Sequence, residues 1–173
     1  LTGLTFDEQG DPAVGRFTEA PATLPEADDP GFDEANWGTI RTIDDGTRNE
    51  STSFLRLENG VVSVVGDASF LGGGDVQKTY YTGPRPVLVF PLAYEKTWAY
   101  DGQVTYSFAP GGKYETVHEV DAYGTLITPA GTFEVLRVFE ESWSSVTGVL
   151  VRSYSWYPRN FGDGPVSFGE EMG

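Results

Sequence analysis

"VDAYGTLITPAGTFEVLRV", residues 120–138, alternates apolar and polar side chains on either side of Pro129-Ala130-Gly131. A period of two gathers a strand's apolar set on one face, and a Pro/Gly turn between two such runs predicts an antiparallel hairpin. Gly131 can take the positive φ that a short loop requires. A slip of one residue would carry Phe133 and Val135 to the opposite face, so the register is strongly specified. In the second arm Phe133, Val135 and Phe139 fall on one side and Leu136 and Val138 on the other, which predicts a central strand covered on both faces.

The flanking sequence repeats this texture. Asn59-Gly60 predicts a tight hairpin within "STSFLRLENGVVSVVG". "VQKTYYT" reads as a strand ended by "GPRP", because proline cannot donate to a central ladder. "VLVFPLAYEKTWAY" reads as a buried strand broken at Pro91 and resumed at Thr97, and "QVTYSF" places Val104, Tyr106 and Phe108 on one face. "YETVHEVDAYGTLIT" follows as a long strand with a kink expected at Gly124, and "GVLVRSYSWY" is a further strand stopped by Pro158. No stretch keeps the helical i, i+3, i+4, i+7 period. The fold class expected is therefore all-β, an antiparallel β-sandwich or a strongly curved sheet with an extended N-terminal arm.

That arm is residues 1–36, ahead of a β-rich domain at 37–173. Residues 7–36 carry four prolines and many acids but few large apolar groups, too little to offset the entropy of ordering. At its front Leu1, Leu4 and Phe6 form a short apolar patch suited to adding a strand to an exposed sheet edge.

Composition narrows the function classes. The 26 acidic residues against 11 basic ones give a net charge of -15, which repels nucleic acid and anionic membranes. Acid excess with only three lysines, Lys78, Lys96 and Lys113, suits a chain kept soluble in concentrated salt; an acidic secreted protein has the same signature. Cysteine is absent, so disulfides and thiolate metal sites are excluded. No apolar run approaches the ~20 residues of a membrane helix, and the start at Leu1 fits removal of a signal peptide.

The run Pro-Leu-x-Tyr-x-x-x-Trp within "VFPLAYEKTWAY" (89–100), the hairpin at 120–138 and "YSWYP" (154–158) together resemble an uncharacterised β-rich domain of secreted Bacteroidota-type proteins. Such proteins often carry type IX secretion sorting domains. The resemblance spans about residues 54 to 160. It implies an extracellular or cell-surface β module and transfers no catalytic residues.

Chemical constellations are sparse. His118 is the only histidine and no G-x-S-x-G elbow exists, so it reads as a sheet-face residue and not as the base of a hydrolase. Glu115 with Glu119, or Glu140 with Glu141 beside Trp143, offer carboxylate pairs of the kind glycosidases use. Such pairs also arise by chance among 26 acids, and Glu134 and Glu140 read as the solvated edge of the hairpin. Calcium is the favoured ion if any binds, at "EADDPGFDE" (26–34) or "DDGTRNE" (44–50), although neither matches an EF-hand loop. Asn49-Glu50-Ser51 matches a glycosylation acceptor, and Gly72-Gly73-Gly74 lacks the Lys-Ser/Thr of a phosphate loop.

Two functional expectations follow, neither enzymatic. One is a secreted structural or interaction module that associates with itself or with cell-surface proteins by strand exchange through Leu1, Leu4 and Phe6. The alternative is a glycan- or lipid-binding module whose groove is lined by Trp98, Tyr106, Trp143, Tyr154 and Trp156. Alternating aromatics also serve as plain core and cross-strand pairs.

Overall fold

Alternating segments separated by turn residues give strands throughout the computed structural model, which describes residues 16–21, 29–44, 48–71, 76–128, 131–158 and 166–172. In chain order the strands are β1 (Arg16–Pro21), β2 (Trp37–Asp44), β3 (Arg48–Glu58), β4 (Val61–Leu71), β5 (Val76–Val89), β6 (Thr97–Tyr106), β7 (Gly112–Thr128), β8 (Gly131–Ser144), β9 (Leu150–Pro158) and β10 (Val166–Met172). Each strand neighbours the next in sequence, as a meander, and the β1/β2, β2/β3, β3/β4, β5/β6, β7/β8, β8/β9 and β9/β10 pairs are antiparallel. The protein is all-β, and no helix among the described residues is long and apolar enough to cross a membrane. Two compact units are distinguished, Leu1–Arg85 with Val104–Pro110, and Pro86–Gln103 with Gly111–Gly173.

In the first unit, Asn59 and Gly60 both take positive φ, 52° and 77°, and close the β3/β4 hairpin as expected. A bulge between Phe54 and Leu55 interrupts this ladder. Over one face lies a single 3-10 turn, Pro30–Phe32, capped by the Asp29 carboxylate accepting from the Gly31 N–H at 2.9 Å. Phe32 stacks on Phe54 with ring centroids 3.9 Å apart and on Tyr80 at 5.1 Å, and Val65 completes the buried cluster. The Asp29 carboxylate also accepts from Lys78 Nζ and from the Tyr80 hydroxyl, so it is already engaged by protein donors. Asn36 extends the ladder by pairing its side-chain amide with both backbone groups of Leu57, at 2.8 and 2.9 Å. Within the segment read as an extended arm, β1 pairs with β2 from Arg16↔Asp44 to Pro21↔Thr39.

In the second unit the quoted hairpin is β7/β8, closing at Thr128↔Gly131 with Gly131 at φ 146°. The irregularity expected at Gly124 lies instead at Asp121, where a bulge between Val120 and Ala122 sets two residues against one. The Arg137 guanidinium fixes it, donating to both Asp121 oxygens at 2.9 and 2.8 Å. Both faces of β8 contribute buried residues, with Val135 8% and Val138 4% exposed.

Two local expectations are corrected. β5 does not stop before the "GPRP" run but continues to Val89. Pro84 and Pro86 are two residues apart, so the N–H groups they lack would point to the same side, and the strand direction is kept. Phe108 does not share the face of Val104; it lies beyond the end of β6 and is 56% exposed.

Candidate functional site

Register assigns the side chains of the second unit to two faces. On one, successive cross-strand rows run Thr116/Ser142/Val151, His118/Glu140/Ser153, Val120/Val138/Ser155 and Tyr123/Leu136/Tyr157. Val120 and Tyr123 share this face although they are three positions apart, because the extra residue at Asp121 restores the parity. On the other face are Arg137, Phe139, Glu141, Tyr154 and Trp156.

The first face holds an unusual polar patch. His118 is 1% exposed, stacked on Trp98 with centroids 5.0 Å apart and planes 9° from parallel. Its Nε2 lies 3.5 Å from Glu140 Oε2. Trp98 Nε1, Thr116 Oγ1 and both His118 nitrogens are buried without a hydrogen-bond partner in the protein. Buried polar atoms of this kind ordinarily take ordered water or a bound group. Sequence alternation identified His118 as a sheet-face residue; it is buried there and not at the surface. Glu140, expected at a solvated edge, is half-buried beside it, whereas Glu134 is exposed.

Beyond the polar rows, a groove of about 600 Å³ lies at the Tyr123/Leu136/Tyr157 row and the adjoining Gly124/Val135/Pro158 row. Phe90, Pro91 and Leu92 from the β5/β6 connection form one wall, and Tyr123, Leu136, Tyr157 and Pro158 another. Glu134 is the charged residue among the described lining positions, with Thr125 and the Tyr157 hydroxyl as further polar groups. Burial pushes the Tyr157 phenol up from its ordinary value. Tyr123, 72% exposed, meets Tyr94 edge-on at 5.3 Å at the rim, and Ile127 nearby on β7 is 78% exposed. Such exposure of large apolar groups on one hairpin marks a binding surface more often than a monomer's ordinary skin.

The aromatics proposed from sequence do not form one groove. Trp98 belongs to the His118 stack. Tyr154 lies on the opposite face with Phe139 at 5.3 Å and Trp156 at 6.3 Å, and Arg137 covers its ring at 4.9 Å. Trp143 shares the parity of Phe139 and opposes Leu150. Tyr106 belongs to the first unit and packs on Phe108 at 5.4 Å. Tyr123, which sequence reasoning passed over, is the groove's most exposed aromatic, and only its pairing with Leu136 across a bulged ladder places it there. Of the carboxylate pairs, Glu140 and Glu141 point to opposite faces, with Glu141 held by Arg152 at 2.7 Å, whereas Glu115 and Glu119 share the Trp143/Phe139 face two rows apart, with Glu115 accepting from Lys113 at 2.7 Å. Among the described residues no group of three or more His, Asp or Glu converges as a metal site. Leu1, Leu4 and Phe6 lie outside the described residues.

A second polar cluster occupies the first unit, on the face of β3 and β4 that carries Ser51 and Ser53. Ser53 Oγ donates to Asp67 Oδ1 at 2.7 Å, and the next row joins Ser69 to Ser51 at 3.3 Å. Burial raises the Asp67 pKa above its ordinary 3.8, opposed by the Ser53 hydrogen bond and the Arg85 charge. A raised folded-state value means that the native state holds this proton to higher pH than the unfolded chain. Its cost to stability is absent below the ordinary carboxylate range and grows as pH rises through the raised value. Asp29 has the opposite sign, lowered chiefly by the Lys78 hydrogen bond, and its contribution is lost as pH falls through the lowered value. Asp67→Asn is expected to raise stability at neutral pH by about 1 kcal/mol. It should also steepen the loss on acidification, since the compensating gain at Asp67 is removed. Urea unfolding at a series of pH values reads both effects, and an unchanged pH profile would count against a raised Asp67.

The chain matches no protein-family model, no curated protein and no solved structure.

Proposed function

We propose that the protein is a non-enzymatic binding module whose groove on the Tyr123/Leu136/Tyr157 face accepts an apolar, lipid-like chain. The observation that carries this reading is the lining itself, in which Phe90, Pro91, Leu92, Tyr123, Leu136 and Pro158 supply most of the wall. A sugar requires a dense set of directional hydrogen bonds, and Thr125, Glu134 and Tyr157 offer few, so the lipid-like alternative is favoured over the glycan. The placement of Glu140 and Glu141 on opposite faces supports a non-catalytic role. An extracellular setting is part of the proposal, supported by the acidic composition and by the resemblance to secreted β modules. Strand exchange through Leu1, Leu4 and Phe6 concerns residues outside the described ones, and the groove therefore takes precedence. For the finer architecture we propose a strongly curved sheet in place of a sandwich, supported by the two bulges, which increase local twist.

Calorimetric titration with decanol tests the groove. The wild-type chain is expected to bind, and Leu136→Glu to weaken binding roughly 30-fold, from the ~2 kcal/mol an apolar side chain contributes when buried. Circular dichroism confirms that the variant folds. Absence of decanol binding, or equal binding by the variant, would refute the groove; retention of oligosaccharides instead would favour the glycan alternative.

A further inference from the structure

In a chain with 26 acidic and 11 basic residues a cation ordinarily finds a carboxylate, and the described lysines and arginines of this unit do so with one exception. Arg137 pairs with Asp121, Arg152 with Glu141, and Lys113 with Glu115 and Asp101. Lys96 has no ion pair with any described carboxylate. Its Nζ donates instead to the Pro91 carbonyl oxygen at 2.8 Å. A carbonyl satisfies one of the three ammonium donors and cancels none of the charge. Pro91 is a wall of the groove, so this half-buried ammonium stands uncancelled against that wall.

The backbone fixes the lysine in place. Its N–H donates to the Ala93 carbonyl at 3.1 Å, closing a turn in which Glu95 takes a φ of 67°, uncommon for a residue other than glycine. The Glu95 N–H donates to the Val120 carbonyl at 2.8 Å and the Val120 N–H to the Lys96 carbonyl at 2.9 Å, so two residues oppose one as in a bulge. The Val120 row adjoins the Tyr123/Leu136/Tyr157 row of the groove. The glutamates of this face stand farther off. Glu134 lines the groove two rows from Val120, about 14 Å along the strands at roughly 7 Å per row, and has an interaction of its own. Glu140 is on β8, with β7 between it and Lys96, and lies 3.5 Å from His118 Nε2. The groove therefore has a cationic end at Lys96 and an acidic end at Glu134.

We infer that the groove takes amphiphiles whose polar end is a carboxylate, received by Lys96, with the apolar chain running from the Pro91 wall toward Tyr123 and Leu136. This rests on the groove reading above and adds to it the chemistry of the head. The two remaining N–H donors of the ammonium can each form a charge-assisted hydrogen bond to the head group. The net charge of -15 opposes an anion at long range, but salt screens that field far more than it screens a partly buried contact.

Titration of the intact chain with decanoate, decanol and decylammonium, at neutral pH in about 0.5 M NaCl, separates head from chain. Decanoate is expected to bind about tenfold or more tightly than decylammonium, and Lys96→Met to shrink that ratio below about threefold. Lys96→Met keeps the length of the stem, so decanol affinity should stay within about twofold of the wild type, and Lys96→Arg, which keeps the charge, should keep the preference. Decylammonium binding as tightly as decanoate, or a ratio that survives Lys96→Met, would overturn the head-group inference while decanol binding leaves the groove standing. Equal losses of decanol and decanoate affinity in Lys96→Met would mean that the lysine only holds the Pro91 wall, and would overturn it too. Failure of all three chains to bind would overturn both the head-group inference and the groove.

Discussion

Phe32→Ala is expected to lower the unfolding free energy by about 3 to 5 kcal/mol, the range for truncating a well-packed aromatic. Phe32 is 8% exposed and lies between two rings, so truncation leaves a void that Phe54 and Tyr80 cannot both fill. The site is also shaped from below. A Cβ on Gly66 would fall 2.5 Å from the Phe32 ring and 2.4 Å from the Thr79 carbonyl oxygen, so the ring reaches the sheet only because that position is glycine. Phe32→Leu keeps much of the volume and should cost about 1.5 kcal/mol or less. Urea denaturation at neutral pH distinguishes them, and a loss below about 1 kcal/mol for the alanine variant would mean that the 3-10 turn is not packed on β3 and β4.

Val120→Asp should be at least as damaging, costing about 4 kcal/mol or more. Val120 is fully buried and faces Val138, 4% exposed, across the ladder. Its own N–H donates to the Lys96 carbonyl and its carbonyl accepts from Glu95, so the backbone is pinned and cannot swing a carboxylate to water. Val120 also separates the His118 row from the groove row, and a charge there would be brought close to Glu140 on the same face. Val120→Thr, which adds only a hydroxyl, is expected to cost about 1 to 2 kcal/mol. Equal midpoints for the two variants in chemical denaturation would contradict this burial.

The strands were legible because their signals are local. Asn59-Gly60, Pro129-Ala130-Gly131 and Pro158 each act through their own backbone, and period-two alternation needs no partner. Phe32 carries no such signal. In a segment of acids and prolines it looks isolated, and its stacking partner is 22 residues away on β3, so only tertiary packing gives it a role. The site was less legible for a related reason. Alternation sorts residues within one strand, but whether Trp98, Trp143 and Tyr154 share a wall depends on register between strands. A bulge resets that register, and the one at Asp121 is announced only by an acid and an arginine on either side of a turn. Counting outward from the hairpin loop without it would misalign everything before Ala122, including His118 and Val120.

A meander in which every strand joins the one just before it has a kinetic consequence. Past the 15-residue connection between β1 and β2, each new hairpin closes a loop of at most seven residues, so the entropic cost of bringing partners together stays small at every step and does not grow with chain length. No strand must wait for a distant segment to arrive. A chain delivered from its N-terminal end, by a ribosome or through a narrow export channel, can therefore lay down this sheet strand by strand, with a single unpaired edge exposed at the growing end at any moment.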